Sequence, residues 1–400
     1  MNSLMNTVTR LPVRFTHGQG VWLWDDKGKK YLDGFSGIAV NTLGHAHPRF
    51  TKVLQEQVAR LIHVSNYFQI GELERLADKV VSVSGMDNAF FCNSGCEANE
   101  AAIKLARLYG HQRGIENPAI IVMENAFHGR TLATLSATGN RKAQAGFEPL
   151  VTGFVRVPLN DIASVRQVAA NNRNVVAVLL EPIQGEGGIN VSTVEYLRAL
   201  RDICNQQSWL FMLDEVQCGI GRTGPWFAYQ HANVLPDVLT LAKGLGGGVP
   251  IGACLARGVA AQVFKPGNHG TTFGGNPLAT AAALAVLEIV EEDGLRENAE
   301  AMGRVIRDAL GKEFAGNKGV VEIRGAGLMI GMELDRPCYE LMAQALEVGL
   351  LINVTADNVI RIVPSLIISE AEAREIVTRL APLVHAILAK PRAEAKPAKG

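Results

Sequence analysis

The stretch Leu235–Gly252, LPDVLTLAKGLGGGVPIG, decides how this chain is read. Its apolar run, Val238 to Ala242, predicts a buried strand that delivers Lys243 into a turn made of Gly244, Gly246, Gly247 and Gly248. Burying a lysine is costly unless its charge is paired or removed, and desolvation pulls its pKa down. A lysine at a strand end, among glycines that let a ligand approach, suits Schiff-base chemistry. Taken alone, the pattern also fits a surface lysine in a glycine loop.

Upstream, Trp209–Leu213 predicts another apolar strand, ending in Asp214-Glu215-Val216-Gln217. In an open parallel sheet ligands bind at the carboxyl ends of the strands, so Asp214 and Lys243 are expected to share one crevice. A carboxylate there can keep a pyridine nitrogen protonated, and a lysine can link to an aldehyde. Those are the two protein groups that pyridoxal phosphate needs.

Six ordered motifs extend the pattern: NSGCEANE (93–100), FHGRT (127–131), EPIQGEGG (181–188), LDEVQCGIGRTG (213–224), LAKGLGGG (241–248) and HGTTFGGNP (269–277). Together they resemble the class III aminotransferases, pyridoxal-phosphate enzymes of fold type I, from about Pro12 to about Leu388. The resemblance implies an α/β fold: a large domain with a mostly parallel seven-stranded sheet between helices, plus a smaller α/β domain. The expected division is an N-terminal segment 1–47, a cofactor-binding domain 48–277, a connecting helix 278–299, a small domain 300–388 and a disordered tail 389–400.

Within the family the likeness points to members that move the terminal amine of acetylornithine to 2-oxoglutarate in arginine biosynthesis. Succinylornithine, succinyl-diaminopimelate, ornithine and 4-aminobutyrate stand as alternative donors, because one acyl group changes pocket energetics by only a few kcal/mol. An aminomutase and a non-enzymatic carrier are the alternatives outside this reaction.

Bulk properties agree with such an enzyme. The chain has 400 residues, 48% hydrophobic and 20% charged, which suits a globular protein with a substantial core. Its formal net charge is zero, which argues against a nucleic-acid or acidic-membrane partner. No apolar run approaches the length of a membrane span, and the opening MNSLMNTVTRLPVRF holds no signal-type apolar core. Six cysteines without a CxxC pair fit unpaired thiols in a reducing cytoplasm. His45 and His47 offer two imidazoles, but no carboxylate or thiol in their neighbourhood completes a ligand set, so no metal is expected.

The remaining candidate residues sit at strand ends and turns. Strand Asn88–Cys92, the turn Asn93-Ser94-Gly95 and a helix from Cys96 to Arg107 form either an anion site or an ordinary helix capped by Ser94. The resemblance places the cofactor phosphate on Ser94, Gly95 and the N–H of Cys96, where the family usually carries threonine; a thiol in place of a hydroxyl is a weaker hydrogen-bonding group. Phe127, after strand Ala119–Met123, can stack on a planar ring, and Arg130 can grip a carboxylate. The resemblance assigns Phe127 to the cofactor ring, Arg130 to the far carboxylate of the substrate, and Gln217 to the ring hydroxyl, beside Glu215 and Val216. It makes Glu186 a gate paired with Arg361, puts Thr271 near substrate and lets Thr272 reach the phosphate of a neighbouring subunit. The active site is then expected at the interface of a homodimer. By the same resemblance Gly37–Val40 lines the substrate entrance. Beyond the long helix Leu278–Glu292, residues 300–388 alternate helix and strand, which predicts helices over a mostly antiparallel sheet.

Overall fold

The computed structural model describes residues 3–391. At the N-terminus, Asp26-Lys27-Gly28, a turn signal between two short strand-forming runs, turns strand β2 (Trp22–Asp25) back onto β3 (Lys30–Asp33). A further strand, β1 (Phe15–Gln19), pairs antiparallel with β2.

The large sheet follows from runs that are apolar on both faces. Val175–Leu180 (β7), Leu210–Asp214 (β10) and Gly252–Ala256 (β12) are buried throughout. Such runs belong in a sheet covered by helices on both sides. With β4 (Asn88–Cys92), β5 (Ala119–Met123), β6 (Phe154–Val157) and β11 (Val238–Leu241), they form seven strands in the order β4-β12-β11-β10-β7-β5-β6. Only β12 runs against its neighbours. Two short strands after β7, β8 (Ile183–Gln184) and β9 (Asn190–Val191), make a separate hairpin. From β5 the chain adds β6 on one side and then β7, β10 and β11 on the other. That reversal opens a crevice at the carboxyl ends of the strands, where ligands bind in sheets of this kind.

Helix Gly95–Gln112 packs across β11 and β12. It runs a full turn beyond the predicted Arg107: no proline interrupts Leu108 to Gln112, and Gly110 is kept inside the helix by close packing, since a Cβ there would lie 2.8 Å from Pro118 and Val176. Helix Pro277–Glu292 is capped by Asn276, whose side chain accepts from the Ala279 N–H, with proline at its first position. It is buried on nearly every side, as a helix apolar all round must be. Gly294, in the left-handed region at φ 64°, ends that turn and also begins helix Leu295–Glu313. The second helix therefore starts inside the segment 278–299 expected to be one connecting helix, which the structure splits in two at Gly294.

The C-terminal sheet, in the order β13 (Val320–Ala326), β14 (Met329–Leu334), β17 (Val359–Ile362) and β16 (Asn353–Thr355), is antiparallel throughout. β15 (Leu350–Leu351) leaves it to pair parallel with β3, which ties the N-terminal hairpin to the C-terminal part of the chain. The two- and three-residue strands β15 and β16 are too short for sequence periodicity to reveal. The final helix, Glu370–Ala389, opens with a capping box between Ser369 and Glu372. Of the tail expected to be disordered, residues 392–400 lie outside the described residues, and Ala389 belongs to that helix.

One packing contact between these layers is unusually close. A Cβ on Gly303 would lie 2.0 Å from the Gly327 carbonyl oxygen, whereas Gly311 on the same helix has open space around it. Gly303→Ala is expected to destabilise the protein by about 3 kcal/mol or more, and Gly311→Ala to stabilise it by about 0.5–1 kcal/mol. Paired denaturant melts check this, and equal effects from the two substitutions would contradict it.

Candidate active site

Lys243 follows β11 by two residues and adopts φ 42°, a left-handed conformation uncommon outside glycine. The turn behind it is tied to the N-terminal segment: the Thr42 hydroxyl donates to the Gly244 carbonyl at 2.9 Å, and a Cβ on Gly244 would lie 2.8 Å from that hydroxyl oxygen. Strain of this kind persists only where the surroundings over-determine it, and it concentrates at functional sites. Burial pulls the Lys243 ammonium below the ordinary lysine range. Glu186 opposes that shift and Arg361 reinforces it.

The side chain points into a cavity of about 390 Å³. Asp214 lines the opposite wall, at the end of β10. Its Oδ2 accepts from Asn99 Nδ2 at 2.7 Å and from His128 Nδ1 at 2.8 Å, and its Oδ1 accepts from the Val216 N–H at 3.0 Å. The Thr240 hydroxyl donates to Asn99 Oδ1 at 2.7 Å, so the amide must present its NH2 to Asp214. Three donors thus fix both oxygens of the Asp214 side chain in a buried place. The other ring nitrogen of His128, Nε2, is buried and among the described residues has no hydrogen-bond partner.

The N-terminus of helix Gly95–Gln112 enters the same cavity. Ser94 caps it by accepting from the Glu97 N–H, and the first-turn N–H groups of Gly95 and Cys96 have no helical acceptor. Glycine is required at 95, since a Cβ would sit 2.7 Å from Val216. The Cys96 thiol turns toward the hydroxyls of Thr131 and Thr134, at 3.3 and 3.2 Å. Phe127 presents its ring to the cavity, with the Arg130 guanidinium 5.6 Å from the ring centroid.

A buried Arg361 pairs with a half-buried Glu186 beside Gln217. Arg361 Nη1 meets Glu186 Oε1 at 2.6 Å and Gln217 Oε1 at 3.1 Å, and the arginine side chain is only 1% exposed. Burial by itself raises the Glu186 carboxyl, but the charge and hydrogen bond of Arg361, together with Lys243 and Gln217, outweigh it, and the net shift is downward. Glu181 closes the floor of the cavity, where it accepts from the N–H groups of Phe127 and Gly185. Burial and the nearby charge of Asp214 push its carboxyl up to about 7.

Not every residue grouped with the site in the sequence comes to this cavity. Glu215 turns away: its carboxylate accepts from the N–H groups of Ala228 and Tyr229 at 2.7 and 2.8 Å, holding the Ala228–Ala232 turn. Adjacent residues on an extended backbone point to opposite faces, so Asp214 and Glu215 cannot share one pocket. Thr271 and Thr272 line a second, open groove beside His63, Asn66 and Phe91. Conversely, Asn99 and Glu181 belong to the wall although the sequence did not single them out. Both lie inside the quoted motifs, but a polar residue on a helix or strand end gives no periodic signal of its own. Val40 reaches the wall, as expected of the Gly37–Val40 segment, and Val249, Pro250 and Ile251 join it.

The family model for class-III aminotransferases matches residues 4–384. The chain belongs to the class-III aminotransferases. It is similar to the acetylornithine aminotransferase of Nitrosomonas europaea, with 60% identity covering 96% of this chain and 98% of that one. Among solved structures it superposes on an acetylornithine aminotransferase from Elizabethkingia anophelis with TM-score 0.86 and 37% identity, covering 95% and 96% of the two chains. It also superposes on the ornithine aminotransferase of Toxoplasma gondii with TM-score 0.93 and 32% identity, covering 97% and 93%; that structure carries pyridoxal phosphate at partial occupancy in its active site. The mostly parallel seven-stranded sheet is the fold type I core of this family.

Class-III aminotransferases depend on pyridoxal phosphate, and the donor set of this cavity fits it. A helix N-terminus with free N–H groups suits the phosphate. An aromatic face suits the ring, a held carboxylate suits the pyridine nitrogen, and a lysine of lowered pKa suits the aldehyde. Among the described residues no helix is long and apolar enough to cross a membrane.

Proposed function

We propose that this chain is a transaminase that moves the δ-amino group of N2-acetyl-L-ornithine to 2-oxoglutarate. The products are N-acetyl-L-glutamate 5-semialdehyde and L-glutamate, in arginine biosynthesis. The observation that carries the proposal is the Glu186–Arg361 pair standing beside Lys243. A transaminase must accept two substrates in one site, one with a carboxylate next to the amine and one without. Arg361 left unpaired beside a neutral methylene is a buried uncompensated charge, so Glu186 neutralises it when acetylornithine is bound. When glutamate binds, its α-carboxylate takes the place of Glu186, and specificity comes from exchanging partners. The names of the relatives in Nitrosomonas and Elizabethkingia support the acetylated donor.

When bound, pyridoxal phosphate supplies an aldehyde to carry the amine and an electron-accepting ring. Ser94, Gly95 and Cys96 hold its phosphate, Phe127 covers its ring, and Gln217 donates to its ring hydroxyl. Val216, whose N–H braces Asp214, would flank the cofactor in the same cavity. Asp214 keeps a proton on the ring nitrogen. Lys243 Nζ, whose pKa burial lowers, would take the substrate proton as base and return it as acid. Arg130 holds the carboxylate farthest from the reacting amine, with Thr271 nearby.

The working unit is a cytoplasmic homodimer in which Thr272 of one subunit reaches the phosphate of the other. The exposed cluster of Ile62, Tyr67, Phe68 and Phe273 around the second groove supports this, because an apolar patch of that kind marks an association surface.

A side-by-side rate comparison tests the proposal, with 2-oxoglutarate as acceptor and acetylornithine, succinylornithine, ornithine, 4-aminobutyrate and succinyl-diaminopimelate as donors. Acetylornithine is expected to lead by about tenfold or more in kcat/KM, which corresponds to about 1.4 kcal/mol. A lead for ornithine or 4-aminobutyrate overturns the donor and leaves the transaminase. Light scattering on the active fraction is expected to give twice the chain mass.

A further inference from the structure

Strand β16 touches both members of the Glu186–Arg361 pair. Asn353 stands opposite Arg361 in the β16–β17 register. Its Oδ1 accepts from Arg361 Nε at 3.0 Å and from Nη2 at 2.7 Å. Two residues on, and therefore on the same face of the strand, the Thr355 hydroxyl donates to the backbone carbonyl of Glu186. One short strand thus holds the guanidinium of one partner and the main chain of the other.

The way Arg361 is held has a chemical consequence. The Nε–Nη2 edge of a guanidinium offers the pair of parallel N–H groups that a carboxylate usually takes. Here a neutral amide oxygen occupies that edge, and only Nη1 faces charge, toward Glu186. A neutral acceptor satisfies two buried donors without cancelling the cation. The full positive charge therefore remains for whichever carboxylate stands at Nη1. The third strand in the row cannot compete: Gly331 of β14 lies opposite Arg361 on its other side, and a Cβ there would press on Ile189 at 2.8 Å.

We propose that Asn353 is the positioning residue of this site for dicarboxylates: it fixes Arg361 so that one nitrogen alone exchanges partners, and so sets how strongly an α-carboxylate is taken. The inference rests on the proposed function, in which Arg361 receives that carboxylate. In Asn353→Ala the guanidinium loses its fixed edge. In Asn353→Asp, which keeps size and acceptor, a permanent carboxylate pairs with Arg361 and repels the incoming one.

The test uses the holoenzyme and glutarate, an unreactive dicarboxylate with the same span between carboxyl groups as 2-oxoglutarate. Calorimetry is expected to give a glutarate Kd raised about tenfold or more in Asn353→Ala and further in Asn353→Asp. The KM for 2-oxoglutarate rises in parallel, while that for the amino donor stays within about twofold. Thermal melts of Asn353→Asp are expected to match the parent, which separates the effect from unfolding. Unchanged glutarate affinity in both variants overturns the role of Asn353 and leaves the donor assignment intact. Equal rises in KM for donor and acceptor also overturn it, since that is what a merely structural residue would give. A parent enzyme that binds no glutarate overturns it too, by removing Arg361 as the carboxylate subsite. A mistaken donor does not affect glutarate binding, so the two readings fail separately.

Discussion

Lys243→Ala is expected to lower transamination by about 10⁴-fold or more, the upper range for loss of a proton-transfer group in an active site. No other amine can substitute. Among the described residues that line the cavity, Lys243 is the only lysine, and the guanidinium of Arg130 does not give up its proton. A small added amine such as methylamine should restore part of the rate in Lys243→Ala, because it brings back a neutral base of the right kind. The fold should not suffer. Burial holds the Lys243 pKa below its unfolded value of 10.5, so between that lowered pKa and 10.5 the folded protein binds fewer protons than the unfolded chain. The native lysine therefore costs stability at neutral pH and recovers it only as the pH rises toward 10.5. Removing it should leave the melting temperature at pH 7 equal or higher. A variant that loses activity because it unfolds would contradict this assignment.

Asp214→Asn is the second large effect, a loss of roughly 10³-fold in kcat. Removing one partner of a buried charge pair costs about 3–5 kcal/mol, and each factor of ten in rate is about 1.4 kcal/mol. The amide cannot stand in for the carboxylate. Two donors, Asn99 Nδ2 and His128 Nδ1, meet at Oδ2, so the amide oxygen must sit there. Its NH2 then faces the N–H of Val216, donor against donor. A ring nitrogen beside a neutral amide is no longer held protonated. Single-turnover rates with saturating cofactor measure this loss separately from weaker cofactor binding. A variant with near-parental kcat would show that Asp214 only anchors the surrounding loops.

Residues that announced themselves in the sequence did so through chemistry that needs a particular context. Lys243 and Asp214 each follow an apolar strand, and both strands end on one side of the sheet, so the crevice was legible from two runs and one rule about parallel sheets. The helix cap at Ser94 was equally plain. What escaped notice depends on contacts between distant segments. Asn99 matters because Thr240, far along the chain, turns its amide toward Asp214. Asn353 matters because register sets it opposite Arg361, on a strand of three residues that no periodicity exposes. Glu215 misled for the opposite reason: it sits beside Asp214 in sequence but on the other face of the backbone, where it serves the Ala228–Ala232 turn.

The most direct test of the assignment is to add pyridoxal phosphate to the purified protein, reduce the mixture with borohydride, and map the modified peptide by mass spectrometry. The cofactor's mass is expected on one peptide, at Lys243, and absent from the Lys243→Ala variant. Stable label on a different lysine, or none on the parent protein, would contradict the claim that Lys243 and Asp214 define the catalytic cavity.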